Sequence, residues 1–259
     1  QTRMKRVLAL AFLVAACARC AESEAGATPA PGPDTPGSGI LFVGNSLTYT
    51  EDLPGLVAAL ATAAGRPVAT ASVAYPDYSL EDHWNRGDAL RAIARGGWSA
   101  VVLQQGPSSL DDSRVLLRRD SARFDQRIRA AGARTALFSV WPESARRSAF
   151  PAVAESYRLA ASDVGGVYLP VTQAWLLAWA QDPSLPLYGP DGFHPSPHGS
   201  YLAALVIAAV LTGASPQAMP ARVVRPGGAV LAIPEPAASV LRAAAGAAIA
   251  GQPSSDGRQ

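Results

Sequence analysis

Three residues of this sequence, Ser46, Asp191 and His194, carry the side chains that nucleophilic catalysis requires, and they occur in that order along the chain. Asp191 and His194 are three positions apart, so a single loop can bring the carboxylate to the imidazole. Such a carboxylate fixes the imidazole tautomer and stabilises its cation during proton transfer. A serine hydroxyl is a weak nucleophile without a base of this kind. Taken singly, Ser46 and Asp191 could each be a helix cap instead.

The positions of these residues suggest which part of the fold holds them. In an open α/β sheet, ligands bind outside the carboxyl ends of the strands. Polar residues that directly follow predicted strands are therefore the candidates for a site. Trp141 also follows a predicted strand, where it is interpreted equally well as a wall of the pocket or as core packing. The polar segments with catalytic side chains are 44–49, 104–109 and 191–195.

The elements that must position these residues follow from the hydrophobic pattern. From residue 40 onward, short apolar runs rich in β-branched residues alternate with longer amphipathic segments, which predicts βα units around a parallel sheet. The expected fold class is α/β, a three-layer α/β/α, flavodoxin-like domain with a five-stranded parallel sheet, over residues 39–250, before a polar tail at 251–259. Predicted strands are 40–44, 68–74, 100–104, 135–140 and 166–170, and predicted helices are 53–64, 80–94, 113–131, 152–161, 171–180, 197–211 and 237–249.

Composition excludes several classes of protein. The chain is 49% hydrophobic and 16% charged, as in ordinary globular proteins. Its 22 basic and 20 acidic residues give a net charge of +2, which argues against a nucleic-acid partner. Both cysteines, Cys17 and Cys20, precede the predicted domain, so that domain has neither an internal disulfide nor a cysteine-ligated metal.

The N-terminal segment predicts export. Residues 1–17 combine basic residues with an apolar run at 7–16 that is too short to span a bilayer, as in a signal peptide. Cys17 ends a sequence that resembles the lipobox of bacterial lipoproteins, in which the cysteine is lipidated. Residues 18–38 are small and rich in Pro and Gly, which predicts a flexible tether. The expected location is the cell envelope, periplasmic or at the surface, with a lipid anchor in the membrane. The alternative is a secreted protein cleaved near this point.

The chain resembles the SGNH (GDSL-type) hydrolases in two blocks, Gly-Asn-Ser-Leu at 44–47 and Asp-Gly-Phe-His-Pro at 191–195. The resemblance covers roughly residues 39–216. It implies that Ser46 is the nucleophile, that His194 is the general base and acid, and that Asp191 is the partner of His194. Within the superfamily, the chain resembles a bacterial branch with a GNS turn and a long helix after the catalytic histidine, in segments 79–84, 101–105, 194–204 and 211–213.

The chain departs from the family pattern around the expected oxyanion hole. The second block usually presents a glycine N–H, and Asp77 occupies that position here. The third block usually supplies an asparagine side chain, and a reading without gaps places Ser108 there. We expect the amide of Gln104, or alternatively Gln105, to donate instead, beside the N–H groups of Ser46 and Asp77. Loss of one oxyanion donor typically costs about 10²–10³ in rate.

The other two histidines have weaker chemical interpretations. His83, beside Trp84, is predicted to be a surface or packing residue. His198 lies four residues after His194, a spacing that can bind a metal ion, but no Glu lies between them and two prolines disturb the turn. We therefore expect no metal and no cofactor.

The resemblance implies a serine esterase or deacylase that acts through an acyl-serine intermediate, and the N-terminal segment predicts that it is exported. The expected substrate is a small-molecule or polysaccharide ester, with short acyl groups such as acetyl on carbohydrate. Two alternatives remain at this point. One is a lysophospholipase or thioesterase, which needs a long apolar groove. The other is a catalytically silent carbohydrate-binding module on the same fold, suggested by the altered second and third blocks.

Overall fold

The computed structural model describes residues 37–252, which are organised around a five-stranded parallel sheet. The strands lie in the order β2-β1-β3-β4-β5, and every neighbouring pair is parallel. This order is the flavodoxin-like one and confirms the predicted fold class. The strands are β1 (Gly39–Gly44), β2 (Ala69–Ala74), β3 (Trp98–Leu103), β4 (Arg134–Phe138) and β5 (Val167–Leu169).

Helices form a layer on each face of the sheet. They are α1 (Ser46–Tyr49), α2 (Leu53–Ala63), α3 (Leu80–Arg86), α4 (Asp88–Ala94), α5 (Asp111–Ala130), α6 (Phe150–Asp163), α7 (Val171–Gln181), α8 (Pro197–Thr212) and α9 (Glu235–Ala250). Helices α2, α7, α8 and α9 pack together in one layer, and α3 to α6 pack together in the other. The chain therefore has the predicted three layers.

The core explains why the most apolar segments lie where they do. All six residues of β1 are buried, as expected for a central parallel strand covered on both faces. Helix α8 is apolar nearly all round, because it packs against α2, α7 and α9 and also contacts β5 of the sheet. None of the helices in residues 37–252 is both long enough and apolar enough to cross a membrane.

The structure differs from the predicted elements in three places. The predicted helix 80–94 is two helices, because Gly87 has a φ of 83° and ends α3 with a left-handed cap. The short helix α1 follows β1 directly. An antiparallel hairpin of β6 (Arg222–Val224) and β7 (Val230–Ala232) follows α8. Strands of three residues have too few positions for their periodicity to be recognised.

Gly199, at the start of α8, lies where this helix packs closely against neighbouring segments. A Cβ atom on Gly199 would lie 2.2 Å from the Leu187 carbonyl oxygen and 2.7 Å from the Trp175 ring. Gly199→Ala is therefore expected to lower the free energy of unfolding by roughly 1–3 kcal/mol, as overpacking typically does. Urea unfolding measures this.

The matched control is Gly246→Ala in α9, where a Cβ atom meets nothing within 4 Å. That substitution is expected to stabilise the chain by roughly 0.5–1 kcal/mol, because alanine is the better helix former. Equal free energies of unfolding for the two variants would contradict the packing described here.

Candidate active site

Ser46 occupies the first position of α1, in the turn that directly follows β1. The turn is capped by Asn45, whose side-chain oxygen accepts a hydrogen bond from the Leu47 N–H at 3.1 Å. Ser46 is only 7% exposed, although it begins a helix at the edge of the sheet. As the first residue of α1, it has a backbone N–H with no acceptor inside the helix.

Gly44 is required by the close packing of this turn. A Cβ atom on Gly44 would lie 2.3 Å from Thr48 Oγ1 and 2.4 Å from Gln104 Oε1. Both atoms belong to the hydrogen-bond network of the turn, so neither can withdraw without breaking a bond. The Gly of the Gly-Asn-Ser sequence thus lets β1, α1 and the end of β3 approach one another.

Gln104, the expected oxyanion donor, holds the turn in place instead. Its side chain is fully buried, and its Oε1 accepts from the Asn45 N–H at 2.9 Å and from the Thr48 hydroxyl at 2.7 Å. Its Nε2 donates to Asn45 Oδ1 at 2.9 Å and to the Gln105 carbonyl at 2.6 Å. A carboxamide has two hydrogens to donate, and both are engaged. In this structure the amide expected to bind an oxyanion is therefore engaged with protein groups instead.

The alternatives for a third-block donor are also engaged in protein contacts. Gln105 Nε2 donates to Ser108 Oγ at 2.9 Å, and Gln105 Oε1 accepts from the Leu80 N–H at 3.3 Å. The backbone N–H of Gln105 donates to the Tyr157 hydroxyl at 3.1 Å. Ser108 is 2% exposed. These residues join the loop after β3 to α3 and α6.

Asp191 and His194 form the pair that their spacing predicts. Asp191 Oδ2 lies 2.5 Å from His194 Nδ1, and Asp191 Oδ1 accepts from the backbone N–H groups of Phe193 and His194, each at 3.0 Å. The bond to His194, helped by the Phe193 N–H, lowers the pKa of Asp191 to about 2. Because the carboxylate accepts from Nδ1, the neutral ring has its lone pair on Nε2, the arrangement of a general base.

The segment beyond β4 anchors the loop that carries this pair. The Trp141 indole N–H donates to the Phe193 carbonyl at 2.9 Å, and the Ser144 N–H donates to the Gly192 carbonyl at 2.7 Å. Trp141 is fully buried and stacks on Trp175, with ring centroids 4.0 Å apart. Trp141 is therefore a core residue that holds the histidine loop, the second of its two predicted interpretations.

Ser46 and the histidine loop lie at the same edge of the sheet. Ser46 follows β1, and the loop is tied to the segment after β4, two strands away with β3 between them. At a spacing of about 4.8 Å between strands, the ends of β1 and β4 are roughly 10 Å apart. Among the described residues, the hydrogen bonds include none between Ser46 Oγ and the His194 ring. Catalytic hydrogen bonds often shorten only when substrate binds.

Asp77 has the backbone conformation that explains a glycine at this position in the family pattern. Its φ is 58°, in the left-handed region that glycine adopts most readily. The side chain is exposed to solvent, and its charge, after burial, contributes to the raised pKa of Tyr49 on α1. The Asp77 loop therefore lies beside the nucleophile turn. Asn45 Nδ2 connects the two directly, since it donates to the Tyr78 carbonyl at 3.1 Å.

The other histidines differ in their surroundings. His83 is fully buried, and its Nε2 lies 2.7 Å from the Gly44 carbonyl oxygen, a contact that the sequence pattern did not indicate. His198 is half-buried, and burial lowers its pKa. Within residues 37–252, no group of three or more His, Cys, Asp or Glu residues could hold a metal ion.

Comparison with solved structures places this chain in a known superfamily. A protein from Slackia heliotrinireducens described as an SGNH hydrolase is 31% identical, with a TM-score of 0.58 over 66% of this chain and 97% of that one. A DUF4886 family protein from Bacteroides uniformis is 18% identical, with a TM-score of 0.63 over 82% and 94%. A lipase/acylhydrolase from Enterococcus faecalis is 18% identical, with a TM-score of 0.54 over 68% and 96%.

Fold and comparison together define the class of the protein as a hydrolase built on a three-layer α/β/α fold. The chain belongs to the SGNH hydrolase superfamily, which confirms the resemblance at that level. No protein-family model matches the chain, and comparison with curated proteins gives no match.

Removing the His194 ring should raise the pKa of Asp191. In His194→Ala, the largest cause of the lowered pKa is lost, so the value is expected to move from about 2 toward the ordinary 3.8. The wild-type carboxyl takes up its proton only as the pH falls through about 2, whereas in the variant it does so at higher pH. The titration is followed by carbon NMR of labelled aspartate.

Asp182 is the internal control for this titration. Hydrogen bonds from Ser184 lower its pKa, and these do not involve His194. Its titration should be the same in both proteins. An unchanged Asp191 midpoint in the variant would show that the ring does not bind this carboxylate in solution.

Proposed function

We propose that this chain is an exported serine esterase or deacylase of the GNS branch, which removes short acyl groups, such as acetyl, from carbohydrate esters. The observation that carries the proposal is the bond between His194 Nδ1 and Asp191 Oδ2. It leaves the second ring nitrogen free to act as a base at the sheet edge where Ser46 begins α1.

The proposed reaction has two halves. His194 Nε2 takes the proton of Ser46 Oγ as that oxygen forms a bond to the ester carbonyl carbon, and Asp191 stabilises the resulting imidazolium. The tetrahedral intermediate collapses with cleavage of the bond to the alcohol oxygen, which receives the proton from His194. A water molecule then loses its proton to His194 and attacks the acyl-serine. Collapse of the second intermediate releases the carboxylic acid and returns the proton to Ser46.

Two backbone groups are the donors that we propose for the oxyanion. They are the N–H of Ser46, which has no acceptor within α1, and the N–H of Asp77, on the loop tied to the turn by Asn45. The amide of Gln104 is engaged elsewhere. The exposed Asp77 carboxylate is solvated, which weakens its repulsion of a developing negative charge.

Two features support the proposal of a short acyl group: the position of the two described grooves and the exposure of the proposed catalytic pair. Two apolar grooves in the described chain have volumes of about 670 and 500 Å³. The first lies between α2, the edge strand β2 and the hairpin, and the second lies between α4 and α5. Neither is lined by Ser46, Asp191 or His194, so neither offers a fatty acyl chain a channel from the nucleophile. The side chains of His194 and Asp191 are 37% and 51% exposed, which suits an acyl group carried on a bulky polar molecule.

Substitution of the proposed catalytic residues tests the mechanism. Ser46→Ala and His194→Ala should each lower kcat/KM for 4-nitrophenyl acetate by at least about 10³-fold, since the members of a triad act as a unit. His198→Ala is the matched control and should retain activity, because His198 lies one turn further on and its ring has no carboxylate partner among residues 37–252. Turnover that survives Ser46→Ala would overturn the assignment.

Two further measurements separate the alternatives. A fluorophosphonate probe should label the wild type at Ser46 and leave Ser46→Ala unlabelled, whereas a silent carbohydrate-binding module would remain unlabelled throughout. Among 4-nitrophenyl esters, kcat/KM should decrease from acetate to octanoate. A preference for octanoate would instead support a lysophospholipase or thioesterase. Acetate release from acetylated oligosaccharides tests the carbohydrate part of the proposal.

We also propose that the chain is lipid-anchored at Cys17, which lies outside the described residues. The support is the basic and apolar sequence at 1–17, followed by the Pro/Gly-rich segment at 18–38. A bacterial host fed a labelled fatty acid should incorporate label into the wild type and not into Cys17→Ala. The matched control Cys20→Ala should keep the label. Absence of label in the wild type, or its persistence in Cys17→Ala, would favour secretion without an anchor.

A further inference from the structure

The peptide unit between Gly44 and Asn45 is held at both ends by hydrogen bonds. Its carbonyl oxygen accepts from the Tyr75 N–H at 3.2 Å and lies 2.7 Å from His83 Nε2. Its N–H donates to Gln104 Oε1 at 2.9 Å. The three partners come from the loop after β2, from α3 and from the end of β3. Because a peptide unit is planar, bonds at both ends fix its orientation.

We propose that His83 is a positioning residue for the nucleophile, and this inference rests on the proposed role of Ser46. The Gly44–Asn45 peptide lies one peptide before the one that carries the Ser46 N–H. With the dihedral angles of Asn45 fixed at the start of α1, its orientation sets where the Ser46 N–H and hydroxyl point. A carbonyl oxygen can only accept, so the group facing it must be the N–H of His83 Nε2. The hydrogen bond thus selects one tautomer of a fully buried ring.

The location of His83 on α3 links the two proposed oxyanion donors. Helix α3 begins with a capping box in which Ser79 and Asp82 bond reciprocally, directly after the loop that carries Asp77. Movement of α3 relative to β1 would therefore move the Asp77 N–H away from Ser46. The bond from His83 to Gly44 opposes that movement at the point where the helix meets the strand.

The surroundings of His83 suit a neutral ring that holds its position. Its Nδ1 is buried and, among the described residues, has no hydrogen-bond partner. The rings of Tyr75 and Tyr78 pack on it, with centroids 5.8 and 5.2 Å away. Burial lowers the pKa of His83, against smaller raising effects of the Gly44 bond and two carboxylates. The charged groups around the ring are Asp82, Asp88 and Arg86. Asp88 accepts a hydrogen bond from the Tyr75 hydroxyl, and Arg86 donates one to the Tyr78 hydroxyl.

Two substitutions separate the hydrogen bond from the packing. His83→Phe keeps an aromatic ring and removes the donor, whereas His83→Gln places an amide nitrogen at about the reach of Nε2. Misplacement of reacting groups by about 1 Å can cost 10²-fold in rate, so His83→Phe should lower kcat for 4-nitrophenyl acetate by about 10–100-fold. KM should change little, and His83→Gln should recover most of kcat.

A structural role alone would give a different result. In that case, the loss of kcat in each variant would simply follow its loss of stability, measured as the decrease in thermal unfolding midpoint. The glutamine would then give no selective recovery of kcat. The acidic limb of the kcat/KM profile should stay in place in His83→Gln, since the residue that transfers the proton is His194. A displaced limb would show that His83 itself carries the proton and would overturn the inference.

The remaining outcomes are also decisive. If His83→Phe does not fold, His83→Asn replaces it as the variant without the hydrogen bond, because the shorter asparagine amide cannot reach the Gly44 carbonyl. His83→Gln should then exceed His83→Asn both in kcat and in the rate of fluorophosphonate labelling. Wild-type kcat in His83→Phe or His83→Asn, with Ser46→Ala inactive, would overturn the inference alone. Activity that survives Ser46→Ala would overturn both this inference and the proposed function.

Discussion

The side chain of Gln104 bridges the gap between the ends of β1 and β3, and the arrangement of the site depends on that bridge. In the order β2-β1-β3-β4-β5, the chain leaves β1 toward β2 and returns to β3 on the other side. The carboxyl ends of β1 and β3 thus form the crevice where such folds bind ligands. Gln104 directly follows β3 at this point and makes four hydrogen bonds, three of them to Asn45 and Thr48. Gly44 is needed because any larger residue would displace this amide.

The histidine loop depends on a different part of the structure. Its backbone is bonded to Trp141 and Ser144 beyond β4, and Trp141 is in turn stacked on Trp175 of α7. Helix α8 begins directly after the loop and is buried along most of its length. The nucleophile turn and the histidine loop are therefore carried by separate anchors on one sheet. Their relative position is set by β3 and β4, which pair in parallel between them.

Sequence patterns predicted the fold well because buried parallel strands and amphipathic helices have clear periodicities. The break at Gly87 and the three-residue strands of the hairpin depend on local backbone conformation, which periodicity does not report. For the site, the three-residue spacing of Asp191 and His194 was sufficient to predict their contact. The role of Gln104 was not predictable in the same way. Whether an amide faces substrate or protein depends on which groups from distant segments surround it, here Asn45 and Thr48.

The same reasoning applies to His83, whose partner is a backbone carbonyl 39 positions earlier in the chain. Burying polar groups without partners is costly, so buried amides and imidazoles at a sheet edge are retained where their hydrogen bonds specify a geometry. Here the buried groups of Gln104 and His83 contact the two ends of one peptide unit. If the oxyanion is bound by backbone N–H groups alone, its stabilisation depends on the orientation of those peptides. Gln104 accepts from the N–H of that peptide and His83 faces its carbonyl oxygen, so the two side chains together act on the orientation of the turn that carries Ser46.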